Sequence, residues 1–198
     1  MPLYEKIRNR ILSTWWKLTI PTRLRSLGVE VSRGCRFYGM PIVSLAPNSR
    51  IILFEGVTIC SDSRFTALGV NHPTVLRTLH PNAEISIGRD TGISGGSICA
   101  AKCISIGMNC LIGADTQISD TDFHAVSPLN RRHNSDRNSI PSTPITIKDN
   151  VFIGSRSIIL KGAFISENSI VGAGSVVTGS IPENRIFAGV PARQIGQL

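Results

Sequence analysis

The C-terminal third of the chain carries an apolar ladder with a period of six. Ile147, Ile153, Ile159, Ile165, Val171 and Val177 follow one another at that spacing without a break. Four residues after each of the first five comes Val151, Ser157, Ala163, Ser169 or Ser175, all small or β-branched. A helix repeats about every 3.6 residues and a half-buried strand every two, so this period belongs to neither. It fits a coil with flat sides and tight corners. Each side uses six residues and turns one large and one smaller side chain inward. Three sides close a triangular coil of about 18 residues, and coils stack at roughly 4.8 Å, each burying its neighbour's apolar edge. A parallel sheet with crossover helices does not fit, because each crossover needs about a dozen residues.

The ladder extends upstream. Ile87, Ile93 and Cys99 are in phase; after one extra residue Ile106, Ile112 and Ile118 are in phase again. An aliphatic–glycine pair recurs at Ile87-Gly88, Ile106-Gly107, Ile112-Gly113, Ile153-Gly154 and Val171-Gly172. Glycine there suits either a corner with unusual backbone angles or a close contact between coils. From Val29 to Thr66 the pattern is looser, with Val29-Glu30-Val31 and Ile51-Ile52-Leu53 reading as short strands in irregular coils. Two segments break the repeat: residues 67–83, with His72-Pro73 and His80-Pro81, and residues 125–144, rich in Pro, Asn, Ser and Arg. Long excursions on a rigid scaffold are where function tends to sit.

The start of the chain reads differently. Leu3, Ile7, Ile11, Trp15 and Leu18 are spaced by three or four, with Lys and Arg between them. That predicts an amphipathic helix ending near Ile20-Pro21, since proline disfavours helix in the residue before it. Its apolar face is expected to cap the coil, as repeat arrays require. The alternative is a membrane surface, kept open by Trp15 and Trp16. The domain reading is a helical cap over residues 1–28 and one all-β domain over residues 29–198.

Composition narrows this further. At 198 residues the chain holds one domain, and its 6% aromatic content suits many short strands better than a bulky core. No run approaches the 18 or so apolar residues of a membrane span. The basic N-terminus lacks the apolar run and cleavage site of a signal peptide and is read as mature sequence. The net charge of +8 gathers near the start, at Lys6, Arg8, Arg10, Lys17, Arg23 and Arg25. Such a cluster suits an anionic membrane, a nucleic acid, an acidic substrate or a solvated helix face. The five cysteines, Cys35, Cys60, Cys99, Cys103 and Cys110, include no CxxC pair. They are expected to be free thiols packed as small hydrophobes in a reducing cytoplasm, with no metal site.

One histidine stands out. His124 lies six residues after Ile118, where the ladder calls for a buried aliphatic, and the regular coil stops there. On position alone, a catalytic base and a satisfied buried histidine remain equal alternatives. Imidazole accepts and returns a proton near neutral pH, which suits it to general-base work. Asp122 lies two residues earlier. On an extended strand it would share a side with His124 and orient the ring, a job that a backbone carbonyl also does.

Three stretches carry a family resemblance: Ile118-Ser-Asp-Thr-Asp-Phe-His124; Pro144-Ile-Thr-Ile-Lys-Asp-Asn-Val-Phe-Ile-Gly154, continuing through Ile158-Ile-Leu-Lys-Gly162; and Ile181-Pro-Glu-Asn-Arg-Ile-Phe-Ala-Gly-Val-Pro-Ala-Arg193. Together they resemble the hexapeptide-repeat acyltransferases, and among these the bacterial enzymes that O-acetylate sugars of capsules, lipopolysaccharides or related glycans. The resemblance spans roughly residues 29–196. It implies a left-handed parallel β-helix, a hand that the general preference for right-handed crossovers would not have supplied. It also implies a homotrimer with a site at each subunit interface, acetyl-CoA as donor, and a sugar hydroxyl of a bacterial glycan or its precursor as acceptor. His124 then becomes the general base. By family position Gly154, Ser155, Gly172 and Ala173 meet the pantetheine arm, and Arg193 meets a CoA phosphate. Phe152 stands where the family often has tryptophan and is expected to give the acceptor an apolar wall. Gly179 stands where a family lysine holds CoA phosphate, which leaves the nucleotide end of the slot without that charge.

Backbone N–H groups near Gly154 are further expected to serve the oxyanion. The excursion at 125–144 brings Arg131, Arg132 and Arg137, read either as holding an acidic or nucleotide-linked acceptor or as a solvated loop. Competing readings are a serine or amino-sugar acetyltransferase, a non-catalytic β-helix scaffold, and a zinc carbonic anhydrase on the same fold. The last needs three histidine ligands, and His124 and His133 lack the close paired spacing expected. No nucleic-acid partner is expected. Contact with the cytoplasmic face of a membrane through the basic helix is the one further partner considered.

Overall fold

Six-residue sides leave room for strands of only two to four residues joined by tight corners, and such strands survive only by pairing with the coils above and below. The computed structural model describes residues 3–129, 131–134 and 136–198; Met1 and Pro2 of the expected cap, and Asn130 and Ser135 of the second excursion, lie outside them. The chain winds as a left-handed parallel β-helix. Its strands fall into three sheets of seven, eight and six strands, which form the faces of a triangular prism. Successive strands visit face 1, face 2 and face 3 in turn. In the regular part Phe152 pairs with Ile170 and Ile158 with Val176, each one coil of eighteen residues further on. In the first coils the offset is twenty-two, with Glu30 opposite Ile52 and Phe37 opposite Ile59.

The inward positions are those of the ladder. Ile147, Ile153, Ile159, Ile165, Val171 and Val177 are buried, as are Val151, Ser157, Ala163, Ser169 and Ser175. One step of the expected phase is corrected. The inward residue on face 3 of the third coil is Ile98, fully buried, while Cys99 is half-buried and faces outward. Register explains it, since Ile98 pairs with Ile118 and Cys99 with Ser119.

The recurrent glycines prove to be contact residues. Gly88, Gly107, Gly113, Gly154 and Gly172 do not have positive φ, but a Cβ on any of them would meet the next coil at 2.3 to 2.8 Å. The left-handed backbone lies two residues later, at Asp90, Asn109, Asp115, Arg156 and Gly174, and recurs at Asn150 and Asn168 on corners without such a glycine. Asn side chains hydrogen-bond locally and tolerate that region. Here they also stack, Asn150 Nδ2 donating to Asn168 Oδ1 at 2.8 Å and Asn168 Nδ2 to Asn184 Oδ1 at 2.9 Å.

Three expectations are corrected at the edges. The N-terminal helix does not stop at Pro21 but runs from Leu3 to Ser26. Burial overrides the local penalty, because Ile20 and Leu24 on either side of the proline enter the core. A turn at Gly28 stops the helix, with φ of +91° there and Val29 N–H returning to the Leu24 carbonyl at 3.0 Å. The stripe expected to face the coil faces solvent instead: Leu3, Ile7, Ile11, Trp15 and Leu18 are all exposed, and Trp16, Ile20 and Leu24 make the packing face. The first excursion is shorter than expected. Val75–Thr78, inside it by sequence, is a strand on face 3, and the departure from the coil covers residues 61–74.

The second excursion leaves face 3 after Gln117–Ser119, and the coil resumes with Ile145–Ile147 on face 1. At the C-terminus Arg193–Gln197 turns back antiparallel to Arg185–Ala188 on face 2, just after the cis Val190–Pro191 peptide.

Candidate functional site

The root of the second excursion is tied by three hydrogen bonds. Thr143 N–H donates to the Asp120 carbonyl at 2.8 Å and Asp122 N–H to the Pro141 carbonyl at 3.1 Å. Thr121 and Ser142 form an antiparallel bridge, and Ser142 Oγ donates to Thr121 Oγ1 at 2.8 Å. Beneath them Asp120 takes the inward position that Thr78 and Ala100 take in the two preceding coils, and it is fully buried. Its carboxylate accepts from the backbone N–H of Ala101, Lys102 and Cys103 at 2.6, 2.8 and 2.8 Å. Burial pushes the Asp120 carboxyl above its usual range, against the opposing pull of those N–H donors. This carboxylate closes the corner of the coil below and fixes where the excursion departs.

Past that anchor the chain strains outward. Phe123 has φ of +61°, a conformation that costs a bulky residue about 1–3 kcal/mol and persists only when its surroundings enforce it. The ties on both sides of it supply that enforcement. His124 follows and is exposed rather than buried. It lines a cleft of about 540 Å³ with Pro128, Arg131, Arg132 and His133.

The expected partnership of Asp122 with His124 has a different geometry. The alternation that would put both on one side fails, because Phe123 between them is in the left-handed region. Asp122 Oδ1 instead receives Lys161 Nζ at 2.6 Å, with each side chain about a third exposed (30% and 32%). Lys161 was not singled out from sequence. Its signal was available, since it occupies the corner one coil above the excursion root, within Ile158-Ile-Leu-Lys-Gly162. Asp120 also had a signal: a charge where strand alternation from Ile118 demands an inward residue.

The other singled-out residues lie elsewhere on the prism. Gly154, Ser155, Gly172 and Ala173 form the corner between faces 2 and 3, stacked over Gly113-Ala114. The Gly154 N–H donates to the Val171 carbonyl at 2.7 Å and the Gly172 N–H to the Phe187 carbonyl at 2.8 Å. Those two amides hold the coils together, so the N–H groups expected to serve an oxyanion near Gly154 are not these two. Ala173 is exposed at that corner. Phe152 projects from face 2 and lines a shallow groove with Tyr38, Phe65, Leu111 and Gly113, not the His124 cleft. Arg131 does line the cleft, but its guanidinium clamps the excursion itself, donating to the Val126 and Ser127 carbonyls. Arg193 is exposed on the C-terminal strand.

Within one chain, therefore, His124 and the Gly154–Gly172 corner occupy different edges of the prism. A whole six-residue side of the prism, at most about 20 Å of extended chain, lies between the two edges. Face 2 also carries an outward apolar ladder in register, Leu111 against Phe152, Phe152 against Ile170 and Ile170 against Ile186. Leu111 and Phe152 in it are exposed. No group of three or more His, Cys, Asp or Glu side chains among the described residues is arranged to hold a metal ion. The two guanidiniums beside the imidazoles make the cleft suited to anions rather than cations.

Comparison with known proteins points one way. A family model described as "Hexapeptide repeat of succinyl-transferase" matches residues 103–119 and 144–179. The galactoside O-acetyltransferase of Escherichia coli (strain K12) is 42% identical over 95 residues, covering 48% of this chain and 44% of that protein. The chain spans about half the length of the curated relatives it matches. A solved galactoside acetyltransferase in complex with coenzyme A superposes with a TM-score of 0.53 at 26% identity, covering 96% of this chain and 79% of the other. The polySia-specific acetyltransferase NeuO superposes with a TM-score of 0.59 at 21% identity, covering 85% and 73%, and shares the fold.

Proposed function

Since the chain belongs to the hexapeptide-repeat acyltransferase family, we propose that it transfers an acetyl group from acetyl-CoA to a hydroxyl of a bacterial glycan or its sugar precursor, with His124 as general base. The observation that carries this reading is the position of His124. It is presented to solvent beside a cationic cleft, at the one place where the second half of the coil is interrupted.

The site is completed between subunits. We assign the donor slot to the corner formed by Gly154, Ser155, Gly172 and Ala173 of one subunit, facing His124 of the next in a homotrimer. The separation of the two edges within a chain supports this, and so does the apolar ladder on face 2, which has the character of a surface made to be covered. In the reaction the acceptor hydroxyl gives its proton to the imidazole while its oxygen attacks the thioester carbonyl. The tetrahedral intermediate collapses, the sulfur leaves, and the imidazolium returns the proton to the CoA thiolate. No step needs a metal.

Asp122, paired with Lys161, acts on the root of the excursion and so on the placement of His124. Phe152 lies on the ladder of face 2 and gives the neighbouring site an apolar wall. Arg131 stiffens the loop through its two carbonyl contacts. Arg132, in the same cleft, is left to meet an anionic acceptor, and Arg193 a phosphate of CoA. Acetyl-CoA is a cytoplasmic metabolite, so the reaction belongs in the cytoplasm; attachment to its membrane would rest on the N-terminal helix.

The test is incubation with acetyl-CoA and a panel of sugars, nucleotide sugars and glycans, following thiol release. His124→Ala should lower turnover by about 10²- to 10⁴-fold while light scattering still reports a trimer. Wild-type turnover in that variant, or no thiol release with any acceptor, would refute the reading.

A further inference from the structure

The N-terminal helix has two apolar faces, and only one is used. Leu12, Trp16, Ile20 and Leu24 follow at four-residue spacing on the side that meets the coil. Ile20 and Leu24 enter the core, and the Trp16 ring stands edge-on to Phe65 with centroids 5.3 Å apart. On the opposite side Leu3, Ile7, Ile11, Trp15 and Leu18 are 52 to 73% exposed. With 3.6 residues per turn they fall within an arc of about 120°, a continuous stripe roughly 24 Å long. Arg10 and Thr14 complete a shallow trough along it with Ile7, Ile11, Trp15 and Leu18.

The margins of the stripe are basic. At the same angular step Lys6, Arg10 and Lys17 run along one border and Arg8 along the other. None of the four is in an ion pair among the described residues. Arg8 lies near Asp62, whose carboxyl is held below its usual range chiefly by hydrogen bonds with Arg64 and to a smaller extent by Arg8. Glu5 is the single acid of the helix, and it lies on the packed side, half-buried.

We propose that this outward face is a docking surface for an anionic lipid bilayer, on which the helix lies flat with Trp15 at headgroup depth. The charge pattern chooses this occupant. A second copy of the helix laid on the stripe would bring its own basic borders against these, with no acid to offset them. A bilayer bearing anionic headgroups meets both borders with opposite charge while its acyl region takes the apolar arc. The inner face fixes the helix to the coil, so lipid contact would hold the whole β-helix at the membrane in one orientation.

The experiment is co-sedimentation of the full chain with phosphatidylcholine vesicles that do or do not contain phosphatidylglycerol. The expected result is binding to the anionic vesicles only, release at high salt, and a blue shift of tryptophan emission. Neutralising Lys6, Arg10 and Lys17 to Gln should weaken binding by about a hundredfold, at roughly fivefold per basic residue. Ile7→Glu with Ile11→Glu, which keeps Trp15 as the reporter, should abolish the blue shift while circular dichroism stays native, because neither side chain is in the core. Equal binding to both vesicles, binding to neither, or variants indistinguishable from wild type would overturn the proposal. So would a stripe variant that changes the subunit count by light scattering, which would give the face to a second copy. If a variant fails to fold, the wild-type contrast between vesicles still decides. The readout needs no turnover and stands apart from the acyl-transfer reading.

Discussion

Gly154 offers the sharpest test of how the coils are held together. A Cβ at this position would lie 2.4 Å from Ala173 N, 2.7 Å from Ala173 Cα and 2.9 Å from the Gly172 carbonyl carbon. All three are backbone atoms, so no side chain can swing aside. Reaching ordinary contact requires the two coils to part by about 1 Å. The bond from Gly154 N–H to the Val171 carbonyl, now 2.7 Å, would then stretch to about 3.7 Å, beyond hydrogen-bonding range. That bond is worth about 1 kcal/mol, and overpacking adds about 1–3 kcal/mol. Restricting the unfolded chain returns about 0.4–1 kcal/mol. Gly154→Ala should therefore destabilise by about 1–3 kcal/mol, lowering Tm by roughly 3–10 °C in a chain of this size. Two controls separate contact from conformation. A Cβ on Gly179 meets nothing within 4 Å, so Gly179→Ala should be neutral or stabilising. Gly174 also faces open space but has φ of +69°, so Gly174→Ala should cost only its strain, about 1 kcal/mol. The assay is thermal and urea unfolding of all three at one protein concentration, since Tm in any assembling protein depends on concentration. A Gly154 variant as stable as the Gly179 variant would refute the close-contact account.

Lys161→Met leaves the Asp122 carboxylate without its 2.6 Å partner. Unfolding should show a loss of about 1 kcal/mol, as for other partly exposed pairs, and kcat should fall while the KM for acetyl-CoA holds. A double-mutant cycle with Asp122→Asn should then be non-additive. Burial pushes the thiols of Cys35, Cys60, Cys99, Cys103 and Cys110 above their usual range. In native protein at pH 7 Ellman's reagent should accordingly react slowly and only at the half-buried Cys99 and Cys103, and with all five thiols after denaturation; rapid reaction of Cys35, Cys60 or Cys110 would contradict their burial.

The regular coils were legible because their period leaves no other solution. Every ladder position from Ile147 to Val177 is buried, and the alternation of large and small inward residues holds throughout. The misreadings fall where tertiary packing outweighs a local rule. Pro21 ends no helix because Ile20 and Leu24 are anchored beside it. The exposed stripe and the packed one both have helical spacing, and spacing does not say which face meets the coil. A strict period of six puts Cys99 inward because it does not register the single-residue shift on face 3. At the site, the break in the ladder marks His124 as the start of the excursion, while its role as base comes from the family resemblance. Lys161 and Asp120 were passed over because each acts through the corner of another coil, a relation set by register and not by nearness in sequence.

The edge geometry leads to a last prediction, one that distinguishes a shared site from a private one. If His124 and the Gly154–Gly172 corner cooperate, they do so from different subunits, because within a chain they stand on separate edges of the prism. Two inactive variants should then rescue each other. His124→Ala removes the base and leaves the slot; Ala173→Trp fills the slot from an exposed position and leaves the base. In a cyclic trimer each interface needs a base from one chain and a slot from the next. When the two variants are unfolded together and reassembled at equal amounts, about one quarter of interfaces combine the good half of each. Thiol release should recover to about one quarter of the wild-type rate per subunit, and should fall to either side of equal mixing. Two variants that stay inactive at every ratio, although light scattering shows mixed trimers, would place base and slot in the same chain and overturn the cross-subunit arrangement.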